Sequence, residues 1–204
     1  MRIVLPAALR HAVKKALLGA GVRRETIQRV AEFWDGVDTA TCPEYWGNFP
    51  VVRRATNVRV AGSPDTTWFT RRILEREERF GRVLTFGDGY GMAAEAFQRR
   101  HDTDEIVYLN VSGGEGRRFA QRLADVDYRG AQAFVQDDAN TMDYLGLGPF
   151  DTIIDVGTFH HLFAFERIFP LLQRILKPGG VLYVDEYVGP TRYHFTRPVI
   201  DWVN

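Results

Sequence analysis

The chain has little that would mark it for export, for a membrane or for a polyanion. Cys42 is its only cysteine. No disulfide can form within the chain, and a reducing compartment, the cytoplasm, is the natural setting. No apolar run approaches the roughly 18 residues that a spanning helix needs. The first stretch, MRIVLPAALRHAVKKALLGAG, carries Arg10, His11, Lys14 and Lys15 where a signal peptide would be apolar, so it reads as an amphipathic helix. Charge of one sign is missing as well, because 26 Lys plus Arg balance 26 Asp plus Glu. With no basic stripe, that balance argues against nucleic acid as a partner. The arginine pairs, such as Arg53–Arg54 and Arg117–Arg118, read as solvated charge at element margins. Metal-ligand spacing is also lacking: His11, His101, His160, His161 and His194 have no ligand spacing with Cys42, so no metal is expected.

What is present divides into two regions. Residues 1–80 read as a helical cap. Leu9, Val13, Ala16 and Leu17 recur at helical spacing, and Thr26, Ile27, Val30, Ala31, Phe33 and Trp34 do so again after the Gly19–Gly21 break. A loop rich in aromatic residues, CPEYWGNFPVV at 42–52, precedes a third helix with Trp68, Phe69, Ile73 and Leu74. From residue 81 to 204 the period changes. Apolar runs at Val83–Phe86, Ile106–Leu109, Ala133–Val135, Thr152–Val156 and Val181–Val184 are candidate strands. Helical stretches at 92–100, Glu115–Ala124 and Phe165–Leu176 lie between them, the last closed by the stop signal LKPGG at 176–180. Strands apolar on both faces, alternating with helices, predict an α/β fold: a doubly wound, mostly parallel sheet.

In such a sheet ligands bind beyond the carboxyl ends of the strands. The first strand, in RVLTFGDGYG, runs straight into a turn with Gly87, Gly89 and Gly91 spaced two apart. Such a turn lets a ligand approach the main chain. The other strand ends offer Asn110 and Ser112, then Asp137–Asn140, then Gly157–His161, then Asp185–Gly189.

Five segments, VLTFGDGYG, YLNVS (108–112), VQDDANTM (135–142), FDTIIDVGTFHHL (150–162) and ILKPGGVLYVDEYVGPTRY (175–193), resemble in sequence and order the Rossmann-like, class I S-adenosylmethionine-dependent methyltransferases. EYWGNFPVVRRATNVRVAGSPDTTWF resembles the lead-in of a small-molecule branch, so the likeness covers roughly residues 44–193. The resemblance implies S-adenosyl-L-methionine as cofactor. It places Gly87, Asp88, Gly89 and Gly91 around the methionine and ribose, with Thr85 beside the turn. Asn110, with Val111, stands where relatives carry an acid that chelates the ribose diol. Asp138 and Ala139 would flank the adenine, Gly157 to His161 would border the sulfonium, and Glu186 and Tyr187 would project over the transfer site.

Two departures stand inside the motifs. Thr85 replaces an acidic or small polar residue. Asn110 replaces an acid and gives up a charge-assisted bond worth roughly 1–2 kcal/mol more than its amide can make. A third departure is the short stretch after Val184, where relatives add a helix and two strands. The edge at Val181–Val184 is then expected to be covered by the tail TRYHFTRPVIDWVN or by a protein partner, unless the chain is a truncated form, and pairing of copies through this edge is the favoured expectation.

Methyl transfer is an in-line displacement that depends mainly on placement, with a base where the nucleophile starts protonated. His160 and His161 are the candidate bases, and Glu186 is a candidate base or substrate anchor. Packing or capping is the plain alternative for the histidines, and pairing with an arginine of the cap is the alternative for Glu186. Tyr45, Trp46, Phe49 and Trp68 are candidates to line a flat apolar pocket. A nicotinamide site is disfavoured, since Asn110 removes the expected acid and Asp88 inside the turn would repel phosphate. Three functions stand: methyl transfer to a small biosynthetic metabolite, a non-catalytic methyltransferase-like subunit, or a non-methylating reaction that uses the same cofactor.

Overall fold

A computed structural model describes residues 22–37, 49–64, 79–87, 103–162 and 164–186. The expected helices at 9–17, around Trp68 and at 92–100 lie outside these residues, as do Asp88, Gly89, Gly91 and Tyr187.

Five strands form one sheet: β1 (Gly81–Phe86), β2 (Thr103–Asn110), β3 (Ala131–Gln136), β4 (Phe150–Val156) and β5 (Leu176–Asp185). Their spatial order is β3-β2-β1-β4-β5, and every neighbouring pair is parallel. Each of the five apolar runs read from the sequence is a strand, and the α/β, doubly wound parallel sheet is as expected. The chain winds outward from β1 through β2 to β3, then returns to β4 on the other side of β1. That reversal is a topological switch point, and it places the ligand crevice above the ends of β1 and β4.

Alternation along the strands builds two cores. Val83, Ile106, Tyr108 and Ile154 meet Phe119 and Leu123 of helix α3 (Gly113–Asp125) on one face. Leu84, Phe86, Val107 and Ile153 meet Ile168, Leu172 and Ile175 of α4 (Phe165–Ile175) on the other. The spacing i, i+4, i+7 in α4 is the apolar stripe of a helix lying on a sheet, and each such buried side chain contributes about 1.5–3 kcal/mol.

Two elements differ from expectation. The stop signal LKPGG is not a link ahead of the last strand, because β5 begins at Leu176, directly after α4. Phe150 pairs with Leu176, the register slips, and Thr152 then pairs with Val181. Gly179, at φ +79°, takes up the surplus residues. Pro178 is tolerated there because β5 is an edge strand. The loop expected through residue 52 is cut short by a helix, α2 (Pro50–Ala61). Pro50 occupies its first turn, and Gly62, at φ 71°, closes it with its N–H donating to the Val58 carbonyl at 3.1 Å. Val51, Val52 and Val58 of α2 are exposed, so no apolar stripe announces it.

Helix α1 (Val22–Gly36) contains the second periodic run of the cap. Its end docks on the sheet domain. Asp35 accepts hydrogen bonds from Ser112 Oγ at 2.5 Å and from the Gly114 N–H at 2.7 Å. Arg118 of α3 donates to the carbonyls of Trp34, Asp35 and Val37. These bonds satisfy donors at the start of α3 and acceptors at the end of α1, the groups that a helix leaves open.

Candidate active site

The ends of β1 and β4 meet at Gly87 and Thr158. Gly87 has φ +54°, and a Cβ there would overlap the Thr158 side chain. Only glycine satisfies both conditions. Thr85 lies two residues earlier, fully buried in β1, and its hydroxyl has no partner among the described residues. Gly157, at φ +63°, donates to the Asp185 carbonyl at 2.9 Å, and among the described residues nothing lies within 4 Å of where its Cβ would be. Among the described residues the crevice is therefore unobstructed at Gly157, where main chain faces it.

After β2, the side chain of Asn110 is engaged on both ends. Its Nδ2 donates to Tyr108 Oη at 2.8 Å, and its Oδ1 accepts from the Ser112 N–H at 3.0 Å. One amide hydrogen and one lone pair are left for a ligand. Val111 is half-buried beside it, and its carbonyl accepts from Gln136. Ser112, a candidate by position, is the cap of α3, with its Oγ accepting from the Glu115 N–H at 2.9 Å.

After β3, the Asp138 carboxylate folds the loop. Oδ1 accepts from the N–H and the side-chain amide of Asn140, each at 3.0 Å, and Oδ2 accepts from Thr141 Oγ1 at 3.2 Å. Ala139 is buried, and its carbonyl receives the Tyr144 hydroxyl at 2.6 Å. Arg167 of α4 clamps the same loop by donating to the carbonyls of Asn140, Thr141 and Met142. Burial pushes the Tyr144 hydroxyl well above its ordinary value, which keeps it a donor.

At the ends of β4 and β5 a cluster forms that the sequence reading only half anticipates. A short 3₁₀ turn, Phe159–His161, brings His160 to Glu186. The His160 N–H donates to Glu186 Oε1 at 3.1 Å, and its Nδ1 lies 2.9 Å from Oε2. A carboxylate can only accept, so Nδ1 carries the hydrogen, and in the neutral ring Nε2 then bears the lone pair. Glu186 thus meets a histidine of the neighbouring strand's turn. The rings of His160 and His161 are 3.9 Å apart, and Trp34 of α1 stands edge-on to His161 at 6.0 Å. Burial first, and then His160, hold His161 below the ordinary imidazole range. Phe49 is exposed at the start of α2, while Tyr45, Trp46 and Trp68 lie outside the described residues.

Asp155 completes the cluster and was missed. It is fully buried in β4, and its Oδ1 accepts from the Phe159 N–H at 3.0 Å. Burial, and then the charge of Glu186 and a hydrogen bond with it, push its carboxyl up to about 9. Burial would raise Glu186 too, but bonds from the His160 ring and N–H and from Asp155 outweigh it and lower the group. Burial and Glu186 also raise neighbouring Asp185. The signal in the sequence was a carboxylate inside the apolar run TIIDV, where a charge without a purpose is costly.

Among the described residues no group of three or more His, Cys, Asp or Glu side chains is arranged to hold a metal ion, and no helix is long and apolar enough to cross a membrane. Residues 84–184 match the family model described as a methyltransferase domain. Over this stretch the chain is a methyltransferase domain of the class I, S-adenosylmethionine-dependent kind. It is 27% identical over 117 residues to the ubiquinone/menaquinone biosynthesis C-methyltransferase UbiE of Stutzerimonas stutzeri, covering 57% of this chain and 45% of that protein. It is 29% identical over 119 residues to the sterol 24-C-methyltransferase of Eremothecium gossypii, covering 57% of this chain and 31% of that protein. The chain spans less than half the length of the curated relatives it matches. Among solved structures it resembles the [4+2]-cyclase SpnF, with TM-score 0.52 and 21% identity over 81% of this chain and 64% of that one. The cyclopropane synthase MmaA2 of Mycobacterium tuberculosis has TM-score 0.51 and 19% identity, covering 66% and 49%. These two likenesses concern the fold.

Proposed function

We propose that the chain transfers a methyl group from S-adenosyl-L-methionine to a small-molecule acceptor in a cytoplasmic biosynthetic reaction. The observation that carries this reading is the convergence, at one switch point, of a main-chain-lined crevice and the histidine–carboxylate pair His160–Glu186. Residues of the crevice fit the cofactor. Gly87 is held where no side chain can stand, no described residue crowds Gly157, and Asn110 keeps one donor and one acceptor. With Gly89, Gly91, Asp88, Thr85 and Val111, these residues would hold the ribose and methionine portions. Asp138 and Ala139 would hold the adenine.

When bound, S-adenosyl-L-methionine supplies an electrophilic methyl group and leaves as S-adenosylhomocysteine. The protein's own part is placement and proton removal. His160 Nε2 accepts the proton that the acceptor's oxygen, nitrogen or carbon gives up as its bond to the methyl carbon forms. Glu186 fixes the ring and stabilises the imidazolium that results. Neutral His161, with Trp34 against it, walls the site on the side of α1. In this reading residues 1–80 serve as a cap to the cofactor-binding domain of residues 81–204, and α1 is the part of the cap seen to dock on it.

Titration calorimetry with S-adenosylmethionine and S-adenosylhomocysteine tests the cofactor assignment. Binding tighter than about 100 μM, roughly −5.5 kcal/mol, supports it. No heat and no thermal shift would leave the non-catalytic reading, which the intramolecular bonds of Asn110 favour. Binding without methyl transfer to any acceptor would point to a different reaction with the same cofactor. For the edge, among the described residues nothing pairs with the outer side of β5, where Val184 is exposed. A second copy covers it in this proposal, and a monomer by light scattering would refute that.

A further inference from the structure

We propose that Asp155 is the positioning residue of this site: as a neutral acid it donates its Oδ2–H to Glu186 and so holds Glu186 against the ring of His160. The inference rests on the methyl-transfer reading, and it adds a residue and a proton that the reading does not need in order to stand.

Position comes first. Asp155 pairs with Val184 across β4 and β5, and Glu186 lies two residues beyond Val184, so the two carboxyls are brought together by register. Asp155 Oδ1 accepts the Phe159 N–H, which ties it to the turn that carries His160. Its Oδ2 is buried and receives no donor among the described residues, which leaves it able to carry a hydrogen toward the Glu186 carboxylate. Two anions in contact at that depth would repel strongly, so one must hold a proton. Glu186 is the anion of the pair, because two donors of His160 already point at it.

The groups facing this pair are His160 and His161 from the turn and Asp185 from β5. Asp155 pairs with Phe86 on the β1 side, which brings no charge. Burial and Glu186 favour the neutral form of Asp155 and outweigh the Phe159 and Thr158 N–H groups, which favour the anion. The arrangement has a built-in alkaline limit. When Asp155 ionises, its hydrogen bond to Glu186 becomes a repulsion, and His160 loses its orientation.

The variants Asp155→Asn and Asp155→Leu test this. Asparagine can still donate to Glu186 and accept from Phe159, but it cannot ionise. With a competent acceptor, Asp155→Asn should keep kcat within about threefold near neutrality and lose the fall in rate that the parent shows near pH 9. Asp155→Leu should lower kcat about tenfold or more with little change in KM. An alkaline fall that persists unchanged in Asp155→Asn, or full activity in Asp155→Leu, would overturn the proposal. A readout free of turnover is the imidazole nitrogen spectrum of His160. The Nδ1–H tautomer should dominate in the parent and in Asp155→Asn at pH 7, and be lost in Asp155→Leu. Its persistence in a folded Asp155→Leu protein would also overturn the proposal. Failure to bind S-adenosylhomocysteine would count against the methyl-transfer reading instead, leaving the tautomer result to decide the role of Asp155. If the leucine variant does not fold, the pH profile and tautomer of Asp155→Asn decide alone.

Discussion

Gly87 and Thr158 face each other across the ends of β1 and β4 so closely that no side chain can stand between them. Gly87 also has a positive φ of 54°, in the region that L-residues enter only at a cost. Gly87→Ala is expected to destabilise the protein by about 2–4 kcal/mol, combining backbone strain and overlap. Adding Thr158→Ala should recover part of that loss but none of the strain. Denaturant unfolding of the single and double variants measures both effects, and a neutral Gly87→Ala would refute the close approach.

The loop after β3 separates a structural role from a ligand role. Asp138 spends both oxygens on Asn140 and Thr141, so Asp138→Ala should loosen the loop as well as remove the proposed contact to adenine. Asn140→Ala breaks only part of the turn. Calorimetry with S-adenosylhomocysteine should show tenfold or greater weakening for Asp138→Ala, about 1.4 kcal/mol or more, and a smaller effect for Asn140→Ala. Unchanged binding in Asp138→Ala would remove Asp138 from the adenine pocket.

Docking of α1 depends on Asp35. The hydrogen bond from Ser112, followed by that from the Gly114 N–H, lowers its carboxyl below the ordinary range. Asp35→Ala should release the end of α1 from α3, and with it the contact of Trp34 with His161. Hydrogen exchange should speed up along α1 and at the start of α3 while the strands stay protected. Equal exchange in both proteins would show that Arg118 alone suffices.

At the opposite end of the sheet, Asp151 gives an acid limit to stability. Burial would raise its carboxyl, but the Arg82 N–H and Lys177 outweigh burial and lower it. A lowered folded value means that the stabilisation is present above the unfolded value near 3.8 and is lost as pH falls through the folded one. Asp151→Asn should therefore cost about 1 kcal/mol at pH 7, discounted for partial exposure, and flatten the dependence of stability on pH below 4. Chemical denaturation at pH 7 and pH 3 checks this, and parallel curves for the two proteins would disprove it.

The composition and period of this chain determined its sheet. Runs such as Thr152–Val156 are apolar on both faces, and that pattern has one stable use, a parallel strand covered by helices on each side. Glycine at 87 was legible too, since a turn with no side chains has few purposes other than close approach. The edges of elements were less legible. Helix α2 shows no apolar stripe because its valines face solvent, and only Pro50 and Gly62 mark its limits. LKPGG reads as a stop by local propensity, yet pairing with β4 draws it into a strand.

The site itself was decided by tertiary structure. Local sequence names His160 and Glu186, but 26 positions separate them, and only the adjacency of β4 and β5 makes them partners. The same adjacency buries Asp155 beside Glu186, and burial and that neighbouring charge push its carboxyl up. Charge states depend on burial and on what lies within a few ångströms, and neither is a property of the order of residues along the chain.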